Sequence, residues 1–439
     1  MKLKKLSLII LLLLFFVILF LRIHYGHETF SDDDSFYYLE KLNFLPDFSI
    51  KILFEFLFAS SFLIAFLICL ELTDRQGISI LSSFLTVFTP LYFKTTFNSL
   101  SEYGFVIFLL LISIYSLLRI RDSKFQILFV LTTLIFSFVS QLSLLLLLTL
   151  LFYWFIIKAE GNDLSLNETY ALMASVPILI IINFIQNGFS INIIPKLIED
   201  QFKPLTLTSF SYLTGFLSLF LGLFGLYYGY FKEKSKKTFL LTSVIISIIF
   251  SLSLRLITFK TGIIILGVFF SILSSISFPY FIDYFKKTRI PINLLPVILI
   301  LFILFMGVFP SINESKQKTP LDLTPILWLK ENTKENSKIL ANVFEGNQIK
   351  FLAKRNVILY YPFKEENSHK RFKEIRRLFT TINSITANKL LDGNNIDYIY
   401  FSQKTKDLYE IEEIPYINNI RFNKIYEDSN VQIWELKHV

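Results

Sequence analysis

The sequence predicts an α-helical polytopic membrane protein, with about 11 transmembrane helices and a small C-terminal α/β domain outside the membrane. Three observations predict it. Of the 439 residues, 53% are hydrophobic, and the mean hydropathy is +0.56. The apolar residues also run together: Leu6 to Leu21, Ile50 to Leu70, Phe239 to Phe250 and Pro296 to Phe309 are nearly free of charge. A soluble globular chain does not string apolar residues into runs of about twenty. Finally, the composition turns abruptly polar after Pro310. Backbone groups left unpaired in hydrocarbon are costly, so only helices and closed barrels cross it. The short alternating segments of a barrel are missing here, and with 50 Phe against 14 Gly and 13 Pro the spans read as ordinary helices.

Windows of about 19 residues place spans near 6–23, 50–71, 77–93, 104–120, 125–139, 142–158, 170–187, 208–230, 238–256, 260–281 and 290–310. The stretch from Phe125 to Ile157 is too long for one span and short for two, and Ser140-Gln141 marks a tight turn within it. The first run follows the basic segment Met1 to Lys5. The residues after it, Arg22 to His27, offer no small-x-small cleavage site, which predicts a retained signal anchor.

Charge sets the orientation. With the N-terminus inside, the inner loops carry Lys2, Lys4 and Lys5, then Arg119, Arg121 and Lys124, then Lys232, Lys234, Lys236 and Lys237, and last Lys286, Lys287 and Arg289. The outer loops are poorer in Lys and Arg, which is the positive-inside bias. The net charge of +8 therefore reports membrane topology, and no nucleic-acid partner is implied. An odd number of spans in the cytoplasmic membrane leaves the tail outside, on the face that carries the loop 24–49. Cys69 is the single cysteine, so no intramolecular disulfide forms.

These boundaries divide the chain into a transmembrane domain, 1–310, and an extracytoplasmic domain, 311–439. In the tail, Thr324 to Asn332 and Ser368 to Phe379 have helical periodicity. Lys338 to Asn342, Asn356 to Tyr360, Ile396 to Phe401 and Val431 to Leu436 have strand character. Interleaved strands and helices make a small α/β domain.

Three constellations are candidates for chemistry. The loop after the first span reads Glu28-Thr29-Phe30-Ser31-Asp32-Asp33-Asp34-Ser35-Phe36-Tyr37-Tyr38. Consecutive carboxylates repel one another unless solvated or gathered around a cation. Asp32, Asp33 and Asp34 are therefore candidates for a general base or for divalent-metal ligands. The alternative is a solvated loop in which Asp34 caps a helix starting at Ser35. Glu102, in Ser101-Glu102-Tyr103-Gly104, is a second acidic candidate on the same face; the alternative is a helix-start Glu complementing the dipole after Ser101. Arg255 and Lys260, between two apolar spans, would hold the phosphate of a lipid-linked substrate, or else snorkel. Lys94 and Lys203 are weaker members of that class. His24 and His27 could join a transition-metal site beside the Asp cluster, whereas His369 and His438 read as surface residues. The sequons at Asn167 and Asn313 fall inside and against the membrane, so neither is expected to be glycosylated.

Asp34-Ser35-Phe36-Tyr37-Tyr38-Leu39 resembles the acidic-aromatic motif of GT-C glycosyltransferases, the superfamily of protein O-mannosyltransferases and the catalytic subunit of oligosaccharyltransferase. Ser101-Glu102-Tyr103-Gly104, leading to Arg119, is similar to its second acidic motif. The tail segments Trp328 to Thr333, Phe344 to Ile349, Ala353-Lys354-Arg355 and Asn395 to Tyr400 resemble the extracytoplasmic domain of prokaryotic, especially archaeal, members. The resemblance implies a polyprenyl-phosphate-linked sugar donor, inverting transfer at the outer face, and a glycan, lipid or protein acceptor. It makes Asp34 the base or a metal ligand and Glu102 a second ligand of magnesium or manganese. Tyr37 and Tyr38 would contact substrate, and Arg255 the lipid phosphate. Where oligosaccharyltransferases carry Trp-Trp-Asp to read the acceptor sequon, this chain has Val343-Phe344-Glu345, and it has Gln141 where a His is common. Both departures point to a simpler transfer or an altered acceptor. The competing expectation is a non-catalytic scaffold or flippase-like carrier of lipid-linked glycans, which includes an inactive paralogue. A carrier should place polar groups near the midplane, where the sequence offers mainly Asn183 and Gln186.

Overall fold

The computed structural model describes residues 5–25, 46–97, 99–140, 142–187, 206–287, 323–360, 368–417 and 421–437. They form two compact units, a helical one that takes in the first helix and 51–287, and a second, mainly C-terminal one that takes in 46–50 and 323–437. The expected boundary at 310 lies outside the described residues.

The helical unit contains α1 (Lys5–Tyr25), α2 (Asp47–Thr73), α3 (Gln76–Val87), α4 (Pro90–Thr96), α5 (Glu102–Leu118), α6 (Ser123–Val139), α7 (Ser143–Ala159), α8 (Leu166–Asn187), α9 (Leu207–Thr214), α10 (Phe216–Tyr228), α11 (Lys236–Ser253) and α12 (Phe259–Lys287). Among the described residues five stretches are long and apolar enough to cross a membrane: Lys5–His24, Ser49–Thr73, Leu166–Ile185, Lys236–Ser253 and Phe259–Phe285. The count rises to seven if each of two bent pairs is one span. The chain is thus a polytopic helical membrane protein. Helices α5, α6 and α7, at 17 residues each, are apolar but slightly short by that measure. The expected spans from 6–23 to 260–281 all fall on helices or bent pairs, and the eleventh, 290–310, lies outside the described residues.

Local chemistry explains the breaks. Helices α3 and α4 meet at 56°, where Pro90 opens α4 and Thr89 is non-helical; a proline cannot donate back into the preceding turn. The α9–α10 pair bends by 85° at Gly215, whose φ of +83° is strained for any other residue. Between α6 and α7, Ser140 is extended and its hydroxyl accepts from the Leu142 N–H at 3.2 Å, the turn its sequence position predicts.

Helix α12 is the buried axis of the unit. Helix α10 lies so close to it that a Cβ on Gly225 would stand 2.0 Å from the Leu273 carbonyl oxygen. Small residues at helix interfaces allow such approach in membranes, where apolar burial supplies no driving force between helices. Hydroxyls reinforce the contacts: Ser271 donates to Ser218 at 2.9 Å, and Thr149 pairs with Ser247 at 2.8 Å. Helix α1 contributes a single buried stripe, Leu11, Phe15, Ile18 and Arg22, at the four-three-four spacing of one helix face. Phe15 meets Phe56 of α2 edge to face, with centroids 5.9 Å apart.

The C-terminal unit contains α13 (Thr324–Asn332), β1 (Lys338–Leu340), α14 (Gly346–Phe351), β2 (Asn356–Val357), α15 (Ser368–Thr380), α16 (Ser384–Gly393), β3 (Tyr398–Ser402), α17 (Gln403–Tyr409), β4 (Phe422–Glu427) and β5 (Val431–Leu436). The strands form one sheet in the order β2-β1-β3-β5-β4. β1 pairs in parallel with β2 and β3, and β5 pairs antiparallel with β3 and β4. The small α/β unit expected from the sequence is present. Both expected helices and all four expected strands are there, with β1 and β2 shorter than their apolar runs. The strand missed, β4, reads Phe-Asn-Lys-Ile-Tyr-Glu and lacks clean alternation because it is an edge strand with a register shift between Lys424 and Tyr426.

Candidate active site at one end of the helical unit

The start of α5 meets the start of α12. Ser101 is extended, and its hydroxyl accepts from the Tyr103 N–H at 3.2 Å, which caps the helix and fixes Glu102 in its first turn. The cap expected for this helix is therefore present, and Glu102 also stands where a carboxylate complements the dipole. The Tyr103 hydroxyl pairs with Thr261 of α12 at 3.0 Å, and Thr261 pairs with Thr258 at 2.7 Å. The Lys260 ammonium lies 5.7 Å from the Tyr103 ring centroid. Arg255, in the turn between α11 and α12, is exposed and has a left-handed φ of +56°. Its N–H closes that turn on the Leu252 carbonyl at 3.1 Å. The structure thus brings Glu102, Lys260 and Arg255 to the same end of the bundle, one acid and two cations separated by more than 150 residues of sequence.

Asp32, Asp33, Asp34, Tyr37, Tyr38, His27, Lys203, Gln141 and Asn313 lie outside the described residues. His24, on the last turn of α1, stacks on Phe20 with centroids 5.3 Å apart. Among the described residues no group of three or more His, Cys, Asp or Glu side chains stands together. No step is therefore derived through a cation.

The same end holds a pair that the sequence reading passed over. Arg22 is 1% exposed and Glu55 3% exposed. The Arg22 Nε donates to the Glu55 carboxylate and Nη2 donates to the Thr96 carbonyl, so α1, α2 and α4 are tied at one point. The guanidinium lies 3.6 Å from the Phe58 ring centroid, with Phe93 and Phe97 at 5.4 and 5.6 Å. The remaining nitrogen, Nη1, is buried without a hydrogen-bond partner among the described residues. An unmatched buried donor costs about 1–3 kcal/mol, and a buried ion pair is often no more stable than apolar residues of the same volume. The signal available in the sequence was the charge within an otherwise apolar second span: Glu55 sits five residues into the run that begins at Ile50, and an ionisable group at such depth is functional by default.

The opposite end is basic and heavily paired. Glu71 receives Arg119 at 3.4 Å and Lys237 at 3.3 Å, and Glu168 receives Lys236 at 3.2 Å. In the α7–α8 turn the Lys158 ammonium, 2.7 Å away, holds the Asp163 carboxyl below the usual carboxylate range. The loops richest in Lys and Arg therefore gather at the end away from Glu102.

In the C-terminal unit, Glu345 turns inward. Its carboxylate accepts from Ser402 at 2.7 Å and from Thr405 at 3.4 Å, and the Asn342 amide also donates to it. Nearby, burial pushes the Tyr409 phenol above its ordinary value, and its hydroxyl is buried without a partner among the described residues.

The helical unit with its bent helix pairs and the unit with the five-stranded sheet make up a fold seen in solved membrane-protein structures. The chain is similar to the Archaeoglobus fulgidus oligosaccharyltransferase AglB. In its complex with an inhibitory peptide and a dolichol-phosphate the TM-score is 0.62, at 10% identity over 80% of this chain and 58% of that one. Tethered to an acceptor peptide containing the NVT sequon, the A. fulgidus enzyme gives a TM-score of 0.59 at 13% identity, over 81% of this chain and 58% of that one. ArnT from Cupriavidus metallidurans, bound to undecaprenyl phosphate, covers 97% of each chain at 11% identity with a TM-score of 0.47, too loose a likeness to argue from. The chain spans about three fifths of the length of the oligosaccharyltransferase, and at these identities the likeness is one of fold. No family model matches the sequence, and no curated protein matches it.

Proposed function

We propose that the chain is a membrane glycosyltransferase that moves a sugar from a polyprenyl-phosphate-linked donor to a glycan, lipid or protein acceptor outside the cytoplasmic membrane. The observation that carries the reading is that Glu102, Lys260 and Arg255 stand at the same end of a GT-C-like bundle, where Tyr103 joins the start of α5 to α12. In the reaction, a carboxylate of the Asp32–Asp34 cluster, Asp34 above the others, takes the acceptor's proton. The acceptor oxygen forms a bond to the anomeric carbon as the bond from that carbon to the phosphate oxygen breaks. The configuration inverts, and the electron pair leaves on the lipid phosphate. Lys260 and Arg255 stabilise that developing charge. In the alternative role, Asp34 would join Glu102 as a ligand of a magnesium or manganese ion, and Tyr37 and Tyr38 would contact the substrate. Eleven spans, with the N-terminus inside, would carry domain 1–310 and leave domain 311–439 on the outer face with the acidic loop.

The test is transfer of labelled sugar from a panel of polyprenyl-phosphate donors in membranes. Wild type is compared with the Asp34→Asn, Glu102→Gln double variant at matched expression. Loss of transfer by at least a hundredfold in the variant supports the enzyme and its site. Equal transfer in both removes these two residues from the chemistry. Silence in the wild type favours a scaffold or carrier. Chelation should abolish transfer and manganese restore it if the cation belongs to the site.

A further inference from the structure

Helix α15 reads Ser-His-Lys-Arg-Phe-Lys-Glu-Ile-Arg-Arg-Leu-Phe-Thr, with five Lys or Arg side chains against one Glu. Its two faces are sorted by chemistry. Phe372, Ile375 and Phe379, at three-four spacing, are buried in the C-terminal unit. Lys370, Lys373 and Arg377, at the same spacing on the opposite face, are exposed, and Arg376 is exposed at its flank. Helix α16 repeats the arrangement: Ala387 and Leu391 are buried, while Ile385 and Lys389, four residues apart, are exposed. The two outward faces share one surface, because Lys370 and Arg371 of α15 and Lys389 of α16 line a single cleft of about 350 Å³. Glu374 is half-buried in the same cleft, and Arg371 is partly engaged there, donating to the Ile358 carbonyl at 3.1 Å. In the turn between the helices Ile382 is 84% exposed, and Ile385 follows at 68%.

We propose that this face is a docking surface for an anionic lipid bilayer. Its cations meet headgroup phosphates, and Ile382 and Ile385 enter the boundary between headgroups and acyl chains. Among the described residues, Ile382 is more exposed than any large apolar side chain on the membrane-spanning helices, although those helices face lipid. An isoleucine so placed beside cations gains by entering an apolar phase next to anionic headgroups. An acidic polymer would satisfy the cations and leave Ile382 in water. A second copy of the chain would set cations against cations, which is costly. Clustered Lys and Arg are drawn to an anionic leaflet, each adding to the attraction within a Debye length of the surface. The helical unit spans a bilayer, so the leaflet is present at high effective concentration and weak individual contacts suffice. The docking surface stands whether or not the chain transfers sugar.

The experiment uses the full chain, one per nanodisc, in discs of phosphatidylcholine alone or with phosphatidylglycerol added. Ile382→Cys and Ile385→Cys, one at a time, carry a polarity-sensitive fluorophore; the native Cys69 is buried. In the anionic discs the emission should move to the blue. Quenching by aqueous acrylamide should fall roughly threefold, as for a probe taken from water into the headgroup boundary. Changing Lys370, Lys373, Arg377 and Lys389 together to Gln should return the probe to its phosphatidylcholine value without lowering the melting temperature. Salt at about 1 M, where the Debye length is about 3 Å, should do the same with the cations unaltered, and this arm keeps the test should the fourfold variant fail to fold. Probes equally quenched in the two kinds of disc overturn the proposal. Protection that survives both the Gln changes and high salt also overturns it, since the contact is then apolar alone. Protection in detergent that fades as the chain is diluted overturns it in favour of a second copy. Protection in phosphatidylcholine discs on adding soluble polyglutamate, equal to that given by phosphatidylglycerol, overturns it in favour of an acidic polymer.

Discussion

Glu345 shows how one residue's surroundings decide what it is free to do. It occupies the place where the resemblance led one to look for an acceptor-reading acid, but Ser402, Thr405 and Asn342 all donate to its carboxylate. A carboxylate so engaged holds α17 and the end of β3 to the turn before α14. Removing it strands hydroxyl and amide donors in a dry site. Glu345→Ala is expected to destabilise the protein by about 3 kcal/mol, whereas Glu345→Gln, which keeps an acceptor oxygen, should cost about 1 kcal/mol. Melting of the full chain in detergent checks both, and equal melting of the Ala variant and wild type would refute the structural role. At this scale the sequence was only partly legible. Ser101 as a cap and Glu102 in the first turn are local features, readable from adjacent residues. The company Glu102 keeps with Lys260 depends on Tyr103 reaching Thr261 across 158 residues, and no local pattern encodes that. Arg22 and Glu55 were hidden for a similar reason, since each looks like a span-end charge until α1 and α2 are packed together.

Among the elements, helices were legible to within a few residues because hydropathy and breakers act locally: Pro90, Gly215 and Ser140 end helices by their own backbone preferences. Which helix packs against which was not legible, because it depends on surface shape. The α10–α12 contact is the clearest case. A Cβ at Gly225 would meet the backbone of Leu273 at 2.0 Å, and one at Gly222 the backbone of Phe270 at 2.7 Å. Backbone cannot rotate aside as a side chain can, so Gly225→Ala must push the helices apart. The expected loss is about 2–3 kcal/mol, the range of overpacked cores. Gly77, in the first turn of α3, has nothing within 4 Å of the point where an alanine methyl would stand. Gly77→Ala should therefore be neutral or stabilising by roughly 0.5–1 kcal/mol. Opposite shifts in melting temperature for the two variants would confirm that contact geometry, and not helix propensity, governs this interface. In the sheet, the same distinction explains β4: its place is set by antiparallel pairing with β5, a long-range property that a six-residue pattern does not reveal.

For the whole molecule, charge distribution yields the most direct test of orientation. Arg119 and Lys237 converge on Glu71, and Lys158, Lys234 and Lys236 cluster around Asp163, Glu160 and Glu168, all at the end away from Glu102 and Arg255. Positive charge flanking spans is retained on the cytoplasmic side during insertion, while acidic residues have little influence. The paired acids therefore do not weaken the bias, and the basic end should face the cytoplasm. Cysteines placed one at a time at Asn162, Arg255 and Glu412, all exposed, report this when intact cells meet a membrane-impermeant maleimide; buried Cys69 gives the background. Positions 255 and 412 should label in intact cells, and position 162 only after the membrane is permeabilised. Labelling of 162 but not 255 would invert the bundle and put the candidate site on the cytoplasmic side, where a donor displayed outside cannot reach it. Labelling of 255 without 412 would keep the site outside but place the C-terminal unit across the membrane from it. That result would require an even number of spans and would separate the α/β unit from the acceptor's side of the reaction.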